Sequence, residues 1–272
     1  QTRPDPYVEV FNRGGKPFRY RIAPSVPWIA VSNAEGTVRQ QQRAIVTVDW
    51  EAAPQGRTDA EIVVHGPGGT TVTVTAVTDR PEAKGLSGFV EAGGYIAIDA
   101  EHATRKVGGA TAPGTTGTAG KIAWQRVDRI GRSTAGLTPV PVTAAQQTPG
   151  GASPRLEYEV SVLTPGEVTV WAYLSPRNPA LARDGLKYAV SFDDDSPQTV
   201  DIIAATGADD STMNSQWARN TSDNVNLTAT RHTVAQAGVH RLKFWMVDPT
   251  VVLQRLVVDT GGLQPTYLGP LE

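Results

Sequence analysis

From Tyr7 to Thr78 the chain alternates apolar and polar residues in short runs: Tyr7–Phe11, Phe18–Ile22, Ile29–Ser32, Ala44–Val48, Glu61–Val64 and Thr70–Val77. A period of two, rich in β-branched residues, fits half-buried strands. Turn signals separate the runs at Asn12-Arg13-Gly14-Gly15, Glu35-Gly36, Pro54-Gln55-Gly56 and Gly66-Pro67-Gly68-Gly69. The helical period is missing. Six or seven strands within ~70 residues predict a small immunoglobulin-like β-sandwich over 1–80. Trp28 and Trp50 are expected as core or edge aromatics rather than as a ligand platform.

Asp79-Arg80-Pro81-Glu82-Ala83-Lys84-Gly85 is polar and holds Pro and Gly, so it reads as a linker. Beyond it, strands are expected at Phe89–Glu91, Tyr95–Asp99, Ala123–Val127, Leu156–Val162, Glu167–Tyr173, Lys187–Phe192, Gln198–Ile203, Asn224–Thr230, Gly238–Met246 and Val251–Asp259. That set is enough for two packed sheets of the jelly-roll kind over 86–270. The connections Lys106–Lys121 and Thr143–Pro154 are long, a length that goes with function or mobility. A short helix is expected near Thr212–Arg219. The fold class is all-β, a small sandwich followed by a larger one.

Composition narrows the function. Apolar residues at 39% and charged residues at 19% of 272 support a packed core. Lys+Arg 25 against Asp+Glu 27 gives a net charge of -2, which excludes a broad electrostatic nucleic-acid binder. No run of 18 apolar residues offers a membrane span. The absence of cysteine excludes disulfides, Cys-bound zinc, iron–sulfur clusters and thiol catalysis. The chain opens at Gln1 without methionine and ends at Leu271-Glu272, and is expected to be a piece of something longer.

Gly88-Phe89-Val90-Glu91 through Ile98-Asp99-Ala100-Glu101-His102 resembles the opening strand of the galactose-binding-like jelly roll, shared by carbohydrate-binding modules of families 6 and 35. Gly185–Asp194 (GLKYAVSFDD), Leu242–Asp248 (LKFWMVD) with Pro249, and Val251–Gly269 (VVLQRLVVDTGGLQPTYLG) resemble the C-terminal region of glycoside hydrolase family 115, the xylan α-1,2-glucuronidases. Trp28–Ser32 and Val48-Asp49-Trp50, followed by Ala53–Gly56, are similar to the immunoglobulin-like linking domain ahead of that region. The resemblance implies that the glucuronidase active site is built by domains preceding this region, and that this chain alone hydrolyses nothing. A secreted or periplasmic bacterial protein is expected.

The residues themselves carry little catalytic signal. His65, His102, His232 and His240 lie in no nucleophile context, and no Gly-x-Ser-x-Gly elbow is present. Asp193-Asp194-Asp195 runs into a Ser-Pro turn and reads as a solvated corner, as does Asp209-Asp210. Asp99 and Glu101, at i and i+2, point to one strand face. By resemblance to family 6 and 35 modules, this pair with a late residue, here Gln254, implies a structural calcium. Gln254 brings an oxygen but no charge, whereas calcium takes six to eight oxygen ligands. The alternative is an acidic pair neutralised by a neighbouring arginine such as Arg255.

Sugar binding needs a flat aromatic face and planar polar groups, and a glucuronate carboxylate suits the arginine fork. Loops of the second domain supply both. Arg129–Gly136 offers Arg132 and Ser133. Ser175–Asp184 offers Arg177, Asn178 and Arg183. Gln216–Asn224 offers Trp217, Arg219, Asn220 and Asn224. Trp217 is the leading aromatic because no strand period accounts for it. Trp171, Tyr173, Tyr188 and Trp245 follow strand patterns and are expected in the core. Asn220-Thr221-Ser222 and Asn226-Leu227-Thr228 match the glycosylation pattern.

Two readings follow. In one, the chain is a non-catalytic carbohydrate-binding module region that holds xylan or glucuronoxylan near the catalytic domains of its parent chain. In the other, it is a structural or dimerisation domain of that enzyme without independent glycan binding. Neither involves nucleic acid or membrane, and the one cofactor expected is the calcium.

Overall fold

The computed structural model describes residues 5–80, 85–109, 121–175, 185–205, 218–264, 269–270 and 272. The chain forms two compact units, Thr2–Lys84 and Gly85–Glu272.

The first unit has seven strands: β1 (Tyr7–Phe11), β2 (Phe18–Pro24), β3 (Ile29–Val31), β4 (Glu35–Val38), β5 (Gln41–Val48), β6 (Gly56–His65) and β7 (Thr71–Arg80). They form antiparallel sheets β1-β5-β3 and β4-β2-β6-β7, an immunoglobulin-like sandwich. Its core includes Tyr20, Ile22, Trp28, Val38, Val46 and Ile62. Trp28 is buried, whereas Trp50 is half exposed. Glu35-Gly36, expected as a turn, instead starts β4. Gly36 pairs with Tyr20 in the β2 register and lies against its ring.

The second unit adds β8 (Phe89–Val90), β9 (Tyr95–Asp99), β10 (Arg105–Val107), β11 (Ala123–Asp128), β12 (Ala135–Val140), β13 (Arg155–Val162), β14 (Gly166–Leu174), β15 (Lys187–Phe192), β16 (Gln198–Asp201), β17 (Asn226–Val234), β18 (Gly238–Met246) and β19 (Leu253–Asp259). One sheet runs β10-β13-β18-β15-β16, with β8 parallel to β13. The other runs β11-β12-β19-β14-β17, with β9 on β19. The two inner faces share one core that includes Ile98, Leu156, Tyr158, Tyr188, Phe192 and Phe244. Burying each large side chain stabilises the fold by about 1.5–3 kcal/mol. Tyr188 stacks on Phe244 at 5.0 Å, and its hydroxyl meets that of Thr228 at 2.6 Å. The unit is a two-sheet, largely antiparallel β-sandwich.

Three elements differ from the sequence expectation. β10 and β12 fall in stretches expected as loops, and residues 202–205 form a helical turn that cuts short the strand expected to reach Ile203. Of the helix expected near Thr212–Arg219, residues up to 217 lie outside the described set, and 218–223 are helical.

The aromatics of the strand patterns also divide. Tyr188 is in the inter-sheet core. Trp245 is buried in a separate cluster, with Arg155 at 4.8 Å from its ring and Lys243 at 5.9 Å. Tyr173 belongs to a third cluster, against which Tyr95 and Trp171 pack half-buried.

Candidate functional site in the loops at one sheet end

The hairpin between β11 and β12 closes through the Arg129 N–H, which donates to the Thr134 carbonyl at 2.8 Å. Its loop places Arg129 (φ 54°) and Gly131 (φ 65°) in the left-handed region. A Cβ at position 131 would overlap the Gln254 carboxamide, so glycine is required there for space as well as angle. Gln254, at 1% exposure, organises the cluster. Its Oε1 accepts the Arg132 N–H at 2.9 Å, and its Nε2 donates to Ser175 Oγ at 3.1 Å and to the Asn224 carbonyl at 2.9 Å. One buried carboxamide thus ties together the β11–β12 loop, the end of β14 and the segment leading into β17. All three bonds suit the donor and acceptor set of a glutamine.

The loop residues named from sequence converge here. Arg132 Nε donates to the Asp223 carbonyl at 2.9 Å, and its guanidinium lies 3.2 Å from the Asp223 carboxylate. This contact makes Arg132 an organiser of the loop. Ser133 Oγ donates to the Ala135 carbonyl at 2.8 Å. Asn220 is buried, and its carbonyl accepts the Val225 N–H at 3.0 Å. Asn224 sits at φ 56°, the left-handed angle that Asn tolerates well. Trp217, Asn178, Arg177, Arg183 and the pair Asp209-Asp210 lie outside the described residues. Both asparagines of the glycosylation patterns, Asn220 and Asn226, are buried.

Beside this cluster lies an open depression of about 880 Å³, lined by Arg126, Asp128, Arg129, Gly131, Ser133 and Thr134. Arg126 Nε is 2.7 Å from Glu101 Oε2, and the same guanidinium pairs with Asp128. Glu101 also accepts the Thr134 hydroxyl. That hydroxyl and then Arg126 hold the Glu101 carboxyl below the usual carboxylate range. Arg129 is exposed, and its guanidinium has no acidic partner among the described residues. Sequence reasoning selected this loop but passed over Arg126 and Arg129. Their spacing in Arg126-x-x-Arg129-x-x-Arg132 was the available signal.

The residues expected to hold calcium do not fit that ion. Asp99 Oδ1 takes Arg255 Nε at 2.7 Å and a second guanidinium nitrogen at 2.6 Å. Both Glu101 oxygens are engaged by Arg126 and Thr134, and Gln254 Oε1 is engaged by Arg132. Arginines supply the positive charge that the ion would bring. Among the described residues, no group of three or more His, Asp or Glu is placed to hold a metal.

His232 Nε2 and Thr230 Oγ1 are 2.8 Å apart, the spacing of a base and a hydroxyl nucleophile. Both residues are buried, and Phe192 stands edge-on to the imidazole at 5.4 Å. Burial also lowers the His232 pKa. Asp193 is not merely a solvated corner. Its carboxylate accepts the Arg241 N–H at 2.8 Å and meets His240 Nδ1 at 2.8 Å.

Fold and site together define an all-β protein of two units: a small β-sandwich, then a larger two-sheet β-sandwich with an arginine-rich loop end. The model of the glycosyl hydrolase family 115 C-terminal domain matches residues 88–272, and the chain belongs to that family. Among solved structures, it is similar to a family GH115 4-O-methyl-α-glucuronidase with specificity for decorated arabinogalactans, at 19% identity and TM-score 0.37, covering 60% of this chain. The chain spans only 17% of the length of that enzyme. It is also similar to the C-terminal family 6 carbohydrate-binding module of a laminarinase from Zobellia galactanivorans, at 10% identity and TM-score 0.30, covering 61% of this chain and 98% of the module. A further similar structure is a carbohydrate-binding module of promiscuous specificity from the β-sandwich superfamily, at 12% identity and TM-score 0.29, covering 94% of this chain and 90% of that one. No curated protein matches.

Proposed function

We propose that this chain is the non-catalytic carbohydrate-binding region of an α-glucuronidase, and that its jelly roll holds glucuronoxylan at the β11–β12 loop. The observation that carries this reading is Arg129. It is an exposed guanidinium without an acidic partner among the described residues, at the edge of an open depression. An arginine fork matches a carboxylate in two parallel hydrogen bonds, and a glucuronate side group presents a carboxylate on an otherwise neutral polysaccharide. Ser133 and Thr134 add hydroxyls at the rim. Gln254 and Arg132 hold the loop in place from behind. Trp217 immediately precedes the helical turn that carries Asn220 and Asp223, and is assigned the apolar sugar face. Tethering raises the local substrate concentration around the catalytic domains of the parent, an effect that needs no tight site.

The test is affinity electrophoresis of the protein through gels holding glucuronoxylan, arabinoxylan or no glycan, with Arg129→Ala and Trp217→Ala variants alongside. Glucuronoxylan is expected to retard the wild type, and each variant to recover mobility. Retardation by both xylans, undiminished in Arg129→Ala, would remove the carboxylate contact. Equal mobility in all gels would move the assignment to a structural or dimerisation role.

A further inference from the structure

We propose a second glycan site, on the outer face of the sheet β11-β12-β19-β14-β17, built for the hydroxyls of a neutral pyranose. The register brings the side chains together. On β14, Thr169 stands opposite Arg231 of β17 on one side and Asp259 of β19 on the other, and Glu167 stands opposite Thr233. With a period of two, all five project from the same face, while Val168, Val170 and Val258 fill the core behind them. They border a pocket of about 340 Å³. Its rim is fixed. Asp259 Oδ1 accepts the Gly261 N–H at 2.9 Å and the Leu263 N–H at 3.2 Å, and Thr260 donates to buried Glu91 at 2.7 Å.

The chemistry of this pocket differs from that of the loop site. Glu167 and Arg231 are exposed, and neither has a charged partner among the described residues. Two carboxylates against one guanidinium disfavour an anion. Sugar hydroxyls both donate and accept, so they are matched by two carboxylate acceptors, one guanidinium donor and threonine hydroxyls that do either. One pleat along β14, about 7 Å on, Trp171 projects from the same face between Ala229 and Val257. Its indole is half-buried, packed against the cluster of Ala97, Tyr173, Val225 and Val257 with its Nε1 buried and unpartnered, and the part of the ring left exposed is assigned to the C–H face of the next sugar ring. The arrangement suits consecutive rings of an uncharged chain.

This site shares no residue with the loop site, so the two fail independently. The experiment is a ¹H–¹⁵N titration of the whole chain with three neutral probes: xylohexaose, cellohexaose and β-1,3-galactotetraose. The amides of Thr169, Thr233 and Gly261 are expected to move with at least one of them. Arg231→Ala and the isosteric Glu167→Gln should each weaken that binding about tenfold, the effect of losing one charge-assisted hydrogen bond. Arg129→Ala should leave it unchanged. If none of the probes moves these amides, or if both pocket variants bind as the wild type does, the site does not exist. If Arg129→Ala abolishes the shifts, there is one site, in the loops.

Discussion

Arg255 grips Asp99 across the β19–β9 pair, with two guanidinium nitrogens at 2.6 and 2.7 Å from the same carboxylate oxygen. The two side chains are 9% and 13% exposed. The same guanidinium donates to the Pro270 carbonyl, and Glu272 accepts the Asp99 N–H at 3.2 Å and meets His102 at 2.7 Å. The pair therefore fastens the C-terminal tail to the sheet. Removing one partner of a nearly buried ion pair leaves the other charge uncompensated. Asp99→Ala is expected to cost about 3 kcal/mol, read from urea unfolding. Because arginine supplies the charge here, adding calcium or EDTA should leave the thermal midpoint where it was. A rise of several degrees with millimolar calcium would contradict that, since a ligand specific to the folded state stabilises it.

Gln254 and Gly131 form the second joint. Gly131→Ala combines a left-handed backbone with an overlap on the Gln254 carboxamide, and is expected to cost about 1–2 kcal/mol or more. Gln254→Leu keeps the volume but leaves the Arg132 N–H, the Ser175 hydroxyl and the Asn224 carbonyl without their partner, at about 2–4 kcal/mol. Both variants should also lose glucuronoxylan retardation, although Gln254 does not line the depression and a Cβ at position 131 would point at Gln254. Retention of full retardation in both would separate the loop geometry from binding.

The strands with a clean alternation were legible in the sequence, because a period of two over β-branched residues has few other meanings. β17 shows it best, with every second residue from Asn226 to Val234 buried. β12 was not legible. It is buried on both faces at Ala135–Pro139, so it does not alternate, and Pro139 lies beyond the single Leu137–Leu253 register contact with β19. The loop at Arg129–Gly136 was found from composition, yet the division of labour inside it was not. Which arginine faces inward depends on Asp223, 91 positions away. The hub role of Gln254 is likewise a product of long-range contacts. The strand pattern put Trp171 and Tyr173 in the core, whereas they pack in a separate cluster outside the inter-sheet core, with Trp171 half-buried.

Glu91 illustrates a carboxylate held by neutral donors. It accepts the Leu163 N–H at 2.7 Å, the Thr164 N–H at 2.9 Å and the Thr260 hydroxyl at 2.7 Å, and joins the β13–β14 turn to the end of β19. Burial opposes its charge, but the hydrogen bonds from Thr260, Thr164 and Leu163 outweigh it, and its pKa is lowered. The stability it confers is therefore present above the ordinary value of 4.5 and lost as pH falls through the folded-state value. Glu91→Gln is expected to lose about 1–2 kcal/mol at neutral pH. The gap to wild type should shrink in acid, as measured by urea midpoints. A gap that does not change with pH would mean that shape, and not charge, is what Glu91 contributes.

His240 titrates in the opposite sense. Its Nδ1 lies 2.8 Å from the Asp193 carboxylate and its Nε2 lies 2.9 Å from the Gln236 carbonyl. Both partners are acceptors, so both ring nitrogens must carry hydrogen, which only the imidazolium provides. Partial burial works against the charge, but the Asp193 carboxylate and the Gln236 carbonyl overcome it, and the pKa is raised. A folded value above the unfolded one means that the stabilisation is complete below about 6.5 and disappears as pH rises through the folded value. Glu159, Arg241, Lys243 and Asp194 border the same small pocket. Wild type should thus lose stability between about pH 6 and 8 relative to His240→Gln, whose side chain does not titrate. Asp193 sits at φ 41° beside these contacts, so the backbone amides of 193–195 should lose protection, measured against their intrinsic exchange rates, at the upper end of that range. Parallel stability profiles for the two proteins would show that His240 packs at this corner without bearing charge.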